Sequence, residues 1–471
     1  MRRTKIVCTL GPASERRETL LEMAQAGMDV VRLNFSHGTH ESHEARFRLV
    51  REVESEIGRP LSALQDLCGP KLRIGEVPAG GIPLHPGEKC ILCIGDYEPG
   101  PPPRIPVPIP ALVRALEPGN HVYLDDGQIE LIVTDEQEDE VVCQVQHGGV
   151  LMSRKGLTAP SVPFSIPALT DKDLDDLKFG LKMGVDWVAV SFVRRASDLQ
   201  PVRQMLRRMG SEAQVISKIE RPEAVDAIEE VLEASDGLMV ARGDLGVEMP
   251  LYQVPIIQKE LIRRCYGAGK PVITATQMLE SMTRSPRPTR AEVSDVANAI
   301  LDGTSAVMLS GETAVGDHPV QTVATMAAIA RFTEANLDYA KLLEAGLRGG
   351  PGSITDAISQ GVAEIANDLK ASAILCSTTS GHTARMVSRM RPPMPIIAAT
   401  ANENTYHRLP LIWGVRPLLV PHTTSTDERL TATVQGALEA GWIQPGETVV
   451  ITLGAPVGTP GHTNLIKVQK V

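Results

Sequence analysis

The sequence predicts a (β/α)8 TIM barrel with an inserted all-β lid domain and a C-terminal α/β domain. Three observations support this fold class. Eight short β-rich runs alternate with amphipathic helical patterns, residues 70–166 interrupt the third of these units, and a new alternation of helix and strand begins after residue 340. At 471 residues the chain is also too long for one ordinary core, which favours several domains.

The barrel is predicted from residues 1–69 and 167–340. Its eight strand candidates read KIVCTL, VVRLNF, LSALQDL, WVAVSF, AQVISKIE, GLMVARGDL, KPVITATQ and SAVMLSGE, and most precede a helical pattern such as ERRETLLEMAQAG. Near-continuous apolar strands separated by helices are typical of a parallel sheet that is covered on both faces. Eight such units in succession favour a closed barrel over an open sheet.

Residues 70–166 predict a separate β-barrel lid. The segments HVYLDD, QIELIVTDE and EVVCQVQ read as alternating strands, and no helical pattern returns before TDKDLDDLKFGLKMG. Two linkers join this domain to the barrel and are expected to act as hinges. The stretch EPGPPPRIPVPIP is either a polyproline ligand for another protein or a proline-stiffened loop, and we favour the loop.

The C-terminal domain is predicted from residues 345–471, after the linker-like segment GLRGGPGS. Four apolar runs, ASAILCS, PIIAAT, RPLLV and ETVVITLG, alternate with helical patterns and predict a doubly wound sheet. The sequence shows no short-period repeats.

Composition and charge restrict the partners. The net charge of −10 argues against nucleic acid as the main partner, because phosphate backbones bind basic surfaces. Anionic small molecules are compatible with it if the cations lie in one cleft. The first apolar run is too short for a signal peptide and no later run is long enough to span a bilayer, so we expect no membrane partner and a cytoplasmic location.

Seven scattered cysteines, an odd number, fit a reducing compartment better than a disulfide framework. Cys90 and Cys93 in CILC have the spacing of a metal-binding pair. Because no second pair and no histidine follow at ligand distance, we favour packing over zinc binding for these two residues.

Polar and charged residues occupy almost every predicted strand end. The catalytic groups of such barrels lie at the carboxyl ends of the strands. In chain order these ends carry Arg32, Asn34, Ser36, Asp66, Ser191, Lys218, Glu220, Arg242, Asp244, Thr276, Ser310 and Glu312. Lys218 and Glu220 are two residues apart in VISKIE and therefore lie on one side of a strand. An inert barrel would also end in polar residues, because its rim meets water.

Glu220 and Asp244 are candidate magnesium ligands. They offer two hard oxygen donors on neighbouring strand ends, and Mg²⁺ retains several waters and leaves room for a substrate phosphate. A structural salt-bridge network is the alternative. With Arg32, Arg73 and Lys218 the site would hold three cations around two carboxylates, which suits phosphoryl transfer. No Walker or kinase-type glycine-rich loop is present, so closure of the lid is expected to hold the nucleotide.

Several longer motifs resemble one family closely. RLNFSHG, KIERPEAV, MVARGDLGVE, ATQMLESM and MLSGETAVG resemble signature stretches of the pyruvate kinases, in order from TKIVCTLGPAS to GHTNLIKV. The resemblance implies transfer of a phosphoryl group from phosphoenolpyruvate to ADP, which yields pyruvate and ATP in the last step of glycolysis. It also implies Mg²⁺ as the cofactor, with Mn²⁺ as an alternative ion, and a homotetramer.

The resemblance also implies roles for individual residues. The implied catalytic groups are Lys218, Arg73 and Thr276, the substrate-binding groups are Arg32, Lys218, Gly243, Asp244 and Thr276, the nucleotide-binding groups are Arg32, Asn34, His37, Arg73 and Lys155, and the metal ligands are Glu220 and Asp244. A water near Thr276 is implied as the proton donor to enolpyruvate. Two departures, Ser42 where many members carry Tyr and Thr158 where many carry Asn, leave the packing of the adenine and some lid contacts open.

The family suggests a role for Lys71 in the stretch ALQDLCGPKLRIG. Many pyruvate kinases bind a potassium ion through groups that match Asn34, Ser36, Asp66 and the next backbone carbonyl, here that of Leu67. In those enzymes a Glu stands at the position of Lys71. We therefore predict that the Lys71 ammonium replaces the monovalent cation, so that K⁺ is not required. A solvated surface lysine is the alternative interpretation.

A second ligand site is expected in the C-terminal domain, which the resemblance makes regulatory. In CSTTSGHTARM a helix follows a strand, so the candidates to hold a phosphate are Thr378, Thr379, Ser380, Gly381, His382 and Thr383. Family members bind sugar-phosphate effectors there, and we expect allosteric activation by a phosphorylated sugar or a nucleotide monophosphate. Arg429 is either a second contact or an ordinary surface arginine.

Two other functions fit parts of the sequence. A Mg²⁺-dependent barrel lyase acting on pyruvate-like acids would also use paired carboxylates and an arginine, although it needs neither the lid nor the cations Lys218 and Arg73. A sugar-phosphate sensor that uses only the last domain would leave the charged strand ends unexplained. Formation of pyruvate from phosphoenolpyruvate that depends on ADP separates the three functions.

Overall fold

A closed barrel of eight parallel strands forms the centre of the molecule. The computed structural model describes residues 2–160, 162, 167–347, 352–455 and 463–471. The barrel strands are, in chain order, Lys5–Thr9, Val30–Asn34, Ser62–Asp66, Trp187–Val190, Gln214–Ile219, Gly237–Ala241, Val272–Ala275 and Ala306–Leu309. Each strand pairs with its neighbours in this order, and the eighth pairs with the first. The predicted TIM barrel is therefore confirmed.

Helices connect the strands and pack on the outside of the barrel. They are Arg17–Ala26, His40–Ile57, Asp171–Met183, Gln200–Met209, Pro222–Asp226, Ile228–Ala234, Arg242–Glu248, Val254–Ala268, Arg290–Leu301, Gly311–Ala314, Pro319–Ala335 and Tyr339–Leu347, with 3-10 turns at Pro12–Ser14, Ala196–Leu199, Leu251–Gln253 and Glu280–Thr283. Thr39, Thr170 and Thr289 cap three of these helices by accepting a hydrogen bond from the backbone three residues on. Among all the helices that the structure describes, none has the length and apolar character to cross a bilayer.

The inserted segment is an all-β domain with one short helix at Pro110–Val113. Its six-stranded sheet has the order Leu157–Thr158, His121–Leu124, Ile129–Gln137, Glu140–His147, Lys89–Cys93 and Arg104–Pro106, and Ile82–Leu84 pairs with Gly149–Leu151 in a second sheet. The proline-rich stretch supplies the edge strand Arg104–Pro106, a position where a missing N–H is tolerated, so it belongs to the lid itself. Cys90 and Cys93 are buried in the lid core, and burial raises the pKa of Cys90 to about 12.

The C-terminal domain contains a five-stranded sheet. The strand order is Val415–Leu419, Ile396–Thr400, Ala373–Ser377, Thr448–Leu453 and Leu465–Lys470, and the last strand runs antiparallel to its neighbour. The helices Ile354–Asp368, His382–Arg389, Glu403–Arg408 and Thr426–Glu439 and a 3-10 turn at Leu409–Leu411 complete the domain. The antiparallel edge strand is an addition to the four runs that the sequence predicts.

The C-terminal domain packs against the amino-terminal end of the barrel. Trp187 is fully buried in the barrel interior and its Nε1 donates to the Arg408 carbonyl at 3.3 Å. Lys5 Nζ donates to the carbonyl of Val415 at 2.7 Å. One apolar cluster runs from the interior of the barrel into the core of the C-terminal domain. This end of the barrel is therefore closed, and the carboxyl ends of the strands face the lid.

Candidate active site

Asp66 lies at the centre of the charged residues at the carboxyl end of the barrel. It is 1% exposed, its Oδ2 is 2.6 Å from Arg32 Nε, and its Oδ1 is 3.3 Å from Lys218 Nζ. Burial alone would raise the pKa of Asp66, but the charges of Lys218 and Arg32 outweigh it and lower the pKa below its usual value. Asp66 is therefore an ionised anchor for two cations.

Lys218 is the most strongly held of these cations. Its Nζ is 2.8 Å from Glu220 Oε1 and donates to Ser191 Oγ at 2.7 Å. Ser191 in turn donates to the carbonyl oxygen of Leu67 at 2.7 Å. Burial lowers the pKa of Lys218, but Asp66 and Glu220 raise it by more, so the pKa lies above its usual value. The ammonium is a permanent positive charge that stabilises anions and does not act as a base.

Glu220 and Asp244 form a carboxylate pair beside this ammonium. Glu220 Oε2 accepts a hydrogen bond from the Phe192 N–H at 2.7 Å, and the buried Oε1 is 2.8 Å from Lys218 Nζ. Burial raises the pKa of Glu220, and the charge of Asp244 acts in the same direction, whereas the charge of Lys218 lowers it by less. A buried carboxylate next to a partly exposed one fits a divalent ion that keeps water and substrate ligands.

A strained turn holds Thr276 beside Gly243. Thr276 has a φ of +69°, in the left-handed region that few residues with a side chain adopt. Its Oγ1 accepts a hydrogen bond from the Gly243 N–H at 2.9 Å. Arg242 supports this turn, because its guanidinium donates to the Thr276 carbonyl at 2.6 Å and pairs with Asp295 at 2.8 Å. Arg242 was one of the predicted strand-end residues, and its role is to position the turn.

Two of the predicted potassium-type groups lie directly opposite each other. Asn34 and Asp66 are partners in the register of the second and third barrel strands. Asn34 Oδ1 accepts a hydrogen bond from the Ser36 N–H at 3.2 Å, and the Leu67 carbonyl accepts the bond from Ser191. The structure therefore brings Asn34 and Asp66 together.

Lys71 does not contact these groups in the structure. Its Nζ is 3.2 Å from Asp126 Oδ1 in the lid and 3.7 Å from Asp244 Oδ1 in the barrel. The sequence hypothesis placed the ammonium next to Asn34 and Asp66, and the ion pairs of Asp66 are made by other cations. Lys71 therefore lies beside Asp244, and its side chain is 28% exposed. Its part in potassium independence stays a prediction.

The side chain of His37 stands in a cationic environment at the other side of the site. Burial lowers the pKa of His37, and the charges of Arg73, Arg32 and Lys71 lower it further. His37 is therefore neutral at physiological pH and close to three cations. A neutral imidazole among cations suits contact with a polyanion such as a nucleotide diphosphate.

A turn of the lid contributes two acids that the sequence analysis did not identify. Asp125 and Asp126 both have a φ of +53°, and each forms an ion pair with a lysine. Lys155 Nζ is 2.7 Å from Asp125 Oδ1, and Lys71 Nζ is 3.2 Å from Asp126 Oδ1. The only sequence signal is the pair of acids before Gly127 in YLDDG, which reads as an ordinary turn.

The predicted effector residues surround the carboxyl end of a strand in the C-terminal domain. Thr378 Oγ1 accepts a hydrogen bond from the Gly381 N–H at 3.0 Å, and Thr383 Oγ1 lies 2.9 Å from Thr463 Oγ1. A cleft of about 230 Å³ is lined by Thr378, Thr379, Asn402 and Arg429, among others. Arg429 thus shares a cleft with two of the predicted residues, although Ser380, His382 and Thr383 are not part of its lining.

Comparison with known proteins agrees with this arrangement. The model of the pyruvate kinase barrel domain matches residues 1–323, and the model of the pyruvate kinase alpha/beta domain matches residues 356–469. The pyruvate kinases of Geobacillus stearothermophilus and Bacillus licheniformis are both 49% identical to the chain, over 473 and 474 residues. These alignments cover 100% of this chain and 80% and 81% of the two relatives. The pyruvate kinase of Staphylococcus epidermidis is 47% identical over 473 residues, again with 100% and 81% coverage. Because two domain models of one family match and relatives of that family align over the whole chain, the chain belongs to the pyruvate kinase family.

Proposed function

We propose that this pyruvate kinase transfers the phosphoryl group of phosphoenolpyruvate to ADP at the carboxyl end of its barrel, with Mg²⁺ held by Glu220 and Asp244. The observation that carries the proposal is the buried Lys218 ammonium, which lies between carboxylates and beside the metal-ligand pair. The transition state of phosphoryl transfer spreads negative charge over three oxygens, and a fixed cation stabilises that charge.

Lys218 and Arg73 act on the transferring phosphoryl group. Three contacts hold Lys218 Nζ before substrate binds, so its charge needs no reorganisation during the reaction. Arg73 belongs to the bridge between the lid's first segment and Gly156, and it adds a second cation from the lid side. When bound, Mg²⁺ neutralises phosphate charge and stabilises the developing enolate.

The backbone at Gly243 and Asp244 and the Thr276 hydroxyl receive the carboxylate of phosphoenolpyruvate. The Gly243 N–H donates to Thr276 Oγ1 at 2.9 Å in the resting site, so both groups lie at one point of the rim and turn to the substrate carboxylate when it binds. Thr276 also orients the water that gives a proton to the enolate carbon. Arg242 holds the turn in place while the substrate enters.

The nucleotide lies along Arg32, Asn34, His37, Arg73 and Lys155. This proposal is supported by the cationic surroundings that lower the pKa of His37. Lys155 is 39% exposed and belongs to the lid, so it joins the nucleotide phosphates as the lid closes.

Lys71 removes the need for potassium by supplying a fixed charge. Its ammonium is 3.7 Å from Asp244, and its charge also reaches His37 on the nucleotide side. The effect is therefore electrostatic and does not require Lys71 to occupy the place of the ion between Asn34 and Asp66.

The C-terminal cleft binds a phosphorylated metabolite that activates the enzyme. The hydroxyls of Thr378 and Thr379 and the guanidinium of Arg429 support this proposal, because they line one cleft.

The enzyme is a homotetramer. The exposed side chains of Leu251, Tyr252 and Ile256 support this proposal, because exposed apolar side chains close together at the surface mark a protein interface. The seven free cysteines support the cytoplasm as the compartment.

A coupled assay tests the reaction and its cofactors together. The full chain is mixed with phosphoenolpyruvate, ADP and Mg²⁺ in tetramethylammonium buffer, and we expect pyruvate and ATP in equal amounts. Omission of ADP or Mg²⁺ should abolish pyruvate formation. The Lys218→Met variant should lose activity, while Lys182→Met, which changes an exposed lysine on an outer helix, should not. Pyruvate formation without ADP would instead indicate a lyase.

A further inference from the structure

A small cavity at the junction of the barrel and the C-terminal domain is lined by cations. Its lining includes Lys270 from the barrel and Arg385, Arg389 and Arg391 from the C-terminal domain, and no aspartate or glutamate of the described part of the chain. Two of the four cations already have strong partners. Lys270 donates to three backbone carbonyls, and Arg389 is 2.5 Å from Asp356. The other two leave the cavity with an excess of positive charge.

Arg391 is the most deeply buried of the four. It is 5% exposed, and its guanidinium carbon lies over the rings of Trp413 and Tyr266, at 4.3 and 5.5 Å from their centroids. One nitrogen, Nη2, donates to the Gly303 carbonyl at 2.5 Å. Nε and Nη1 are buried and have no acceptor among the described residues. The N–H groups of these two nitrogens are therefore available to a further acceptor.

The nearest carboxylate does not neutralise Arg391. Glu334 acts on it only through its charge, because the Glu334 oxygens accept hydrogen bonds from the N–H groups of Arg3 and Thr4 at 2.8 and 2.6 Å. Burial lowers the pKa of Arg391 to about 10, so the guanidinium is still charged at neutral pH. A buried charge without a counter-ion is costly, and proteins rarely keep one.

Two neighbours of Arg391 share this lack of partners. The Tyr266 hydroxyl is buried and makes no hydrogen bond to the described residues. Arg385 has one weak acceptor, Gln214 Oε1 at 3.4 Å, and burial lowers its pKa by more than the charge of Asp236 raises it. Two guanidinium groups and a hydroxyl that can donate therefore line the same cavity.

The backbone at Arg391 has an unfavourable conformation. Arg391 follows the helix His382–Arg389 with a φ of +48°, in the left-handed region where a glycine usually ends a helix. An arginine at this position is strained, and the structure keeps it there with its guanidinium directed between Tyr266 and Trp413. This strain agrees with a role for the side chain, and the role is assigned from the unpartnered donors.

We infer that this cavity, which we call the junction cavity, binds a single small anion of the size of chloride between Arg391, Arg385 and the Tyr266 hydroxyl. Size and charge both support a monatomic ion. The space that a water-sized particle can reach is about 20 Å³, enough for one such particle, and Arg391 Nε and Nη1 and the Tyr266 hydroxyl have no acceptor among the described residues. A neutral water would satisfy the donors but would leave the charge of Arg391 uncompensated.

An anion here would link the two domains. Tyr266 belongs to the barrel helix Val254–Ala268, whereas Arg385 and Arg391 belong to the C-terminal domain. Donors from both sides would share one ion, so occupancy of the junction cavity would stabilise the interface between the domains. The site lies at the amino-terminal end of the barrel, away from the catalytic residues.

The inference is tested by thermal unfolding of the full chain in sodium chloride and sodium gluconate mixtures at constant ionic strength. We expect the midpoint to rise with chloride in the wild type, as for any ligand of the folded state. Tyr266→Phe keeps the ring but removes one donor to the ion, so about tenfold more chloride should be needed for the same rise. Tyr123→Phe, which removes a hydroxyl from the lid, should behave like the wild type.

Crystals soaked in bromide give the second measurement. An anomalous peak beside Arg391, weaker or absent in Tyr266→Phe, would support the inference. A water at that position in bromide-soaked crystals, or equal midpoints in chloride and gluconate, would overturn it. Stabilisation by sulfate or phosphate but not by chloride would also overturn it, because the inference is of a monatomic ion.

Discussion

Replacing Lys71 by glutamine should make this pyruvate kinase depend on potassium. The substitution removes a positive charge and keeps a polar side chain of similar reach. In the structure the Lys71 ammonium lies 3.7 Å from Asp244 and 3.2 Å from Asp126. Without it, Asp244 loses a compensating charge next to the phosphoryl group, and a monovalent cation from solution becomes the remaining source of that charge.

The expected effect follows from distance and exposure. Two unit charges 3.7 Å apart interact by roughly 4 kcal/mol at an effective dielectric constant of about 20. Lys71 is 28% and Asp244 34% exposed, so screening by water reduces this to about 1–2 kcal/mol. Such a loss corresponds to a decrease of about 5- to 30-fold in kcat/KM. Added potassium at about 100 mM should restore most of the activity, because an ion in excess over its Kd occupies its site.

The assay measures kcat/KM for phosphoenolpyruvate in tetramethylammonium buffer and then with added potassium chloride. Lys155→Gln is the matched control, because it removes another lid lysine with a close carboxylate, Asp125 at 2.7 Å. That variant should weaken ADP binding but should not acquire a potassium requirement. Two results would contradict this role of Lys71. One is a Lys71→Gln variant that is as active without potassium as with it, and the other is activation of the wild type by potassium of more than about twofold.

Three further perturbations test other parts of the structure. Lys218→Met removes the cation that two buried carboxylates share, so kcat should fall by about a thousandfold and the free energy of unfolding by about 3–5 kcal/mol, which steady-state kinetics and urea unfolding would show. Burial lowers the pKa of His407, but the bond to Glu54 at 2.6 Å raises it by more. Its stabilisation is therefore full below pH 6.5 and is lost as the pH rises through the raised pKa, so His407→Gln should destabilise the protein at pH 6 and hardly at pH 9 in thermal unfolding. Gly180→Ala would place a Cβ 2.1 Å from the buried Gln65 Oε1, so we expect a loss of about 1–3 kcal/mol in urea unfolding.

The barrel was predictable because its strands are buried on both faces. An apolar run such as WVAVSF is identified as a strand from its own sequence, and the number and spacing of these runs indicate a closed barrel. The strand Leu465–Lys470 was not predicted, because its residues are half-buried or exposed and carry two lysines. Edge strands of this kind lack the continuous apolar signal of central strands.

The candidate site was partly predictable for a geometric reason. Lys218 and Glu220 are two residues apart and share one side of a strand, and parallel strands bring their ends to one rim, so local spacing places them together. The position of Lys71 depends on three-dimensional features that local spacing does not show. Gly69, with a φ of +68°, turns the chain, and the partner Asp126 lies in the lid, far along the sequence. A long flexible side chain near two acids has several partners within reach, and the sequence alone does not choose between them.

Charge balance explains why the site is stable before substrate binds. The cations Arg32 and Lys218 contact Asp66, Glu220 contacts Lys218, and Asp244 is left with the partly exposed Lys71. The innermost groups are thus compensated within the protein, and the least compensated carboxylate is one of the two proposed metal ligands. Metal binding then adds charge where the resting site lacks it, without breaking the pairs that hold Lys218. The same contacts therefore stabilise the fold and keep the phosphoryl-stabilising cation in place, so mutations at Asp66 should affect folding and catalysis together.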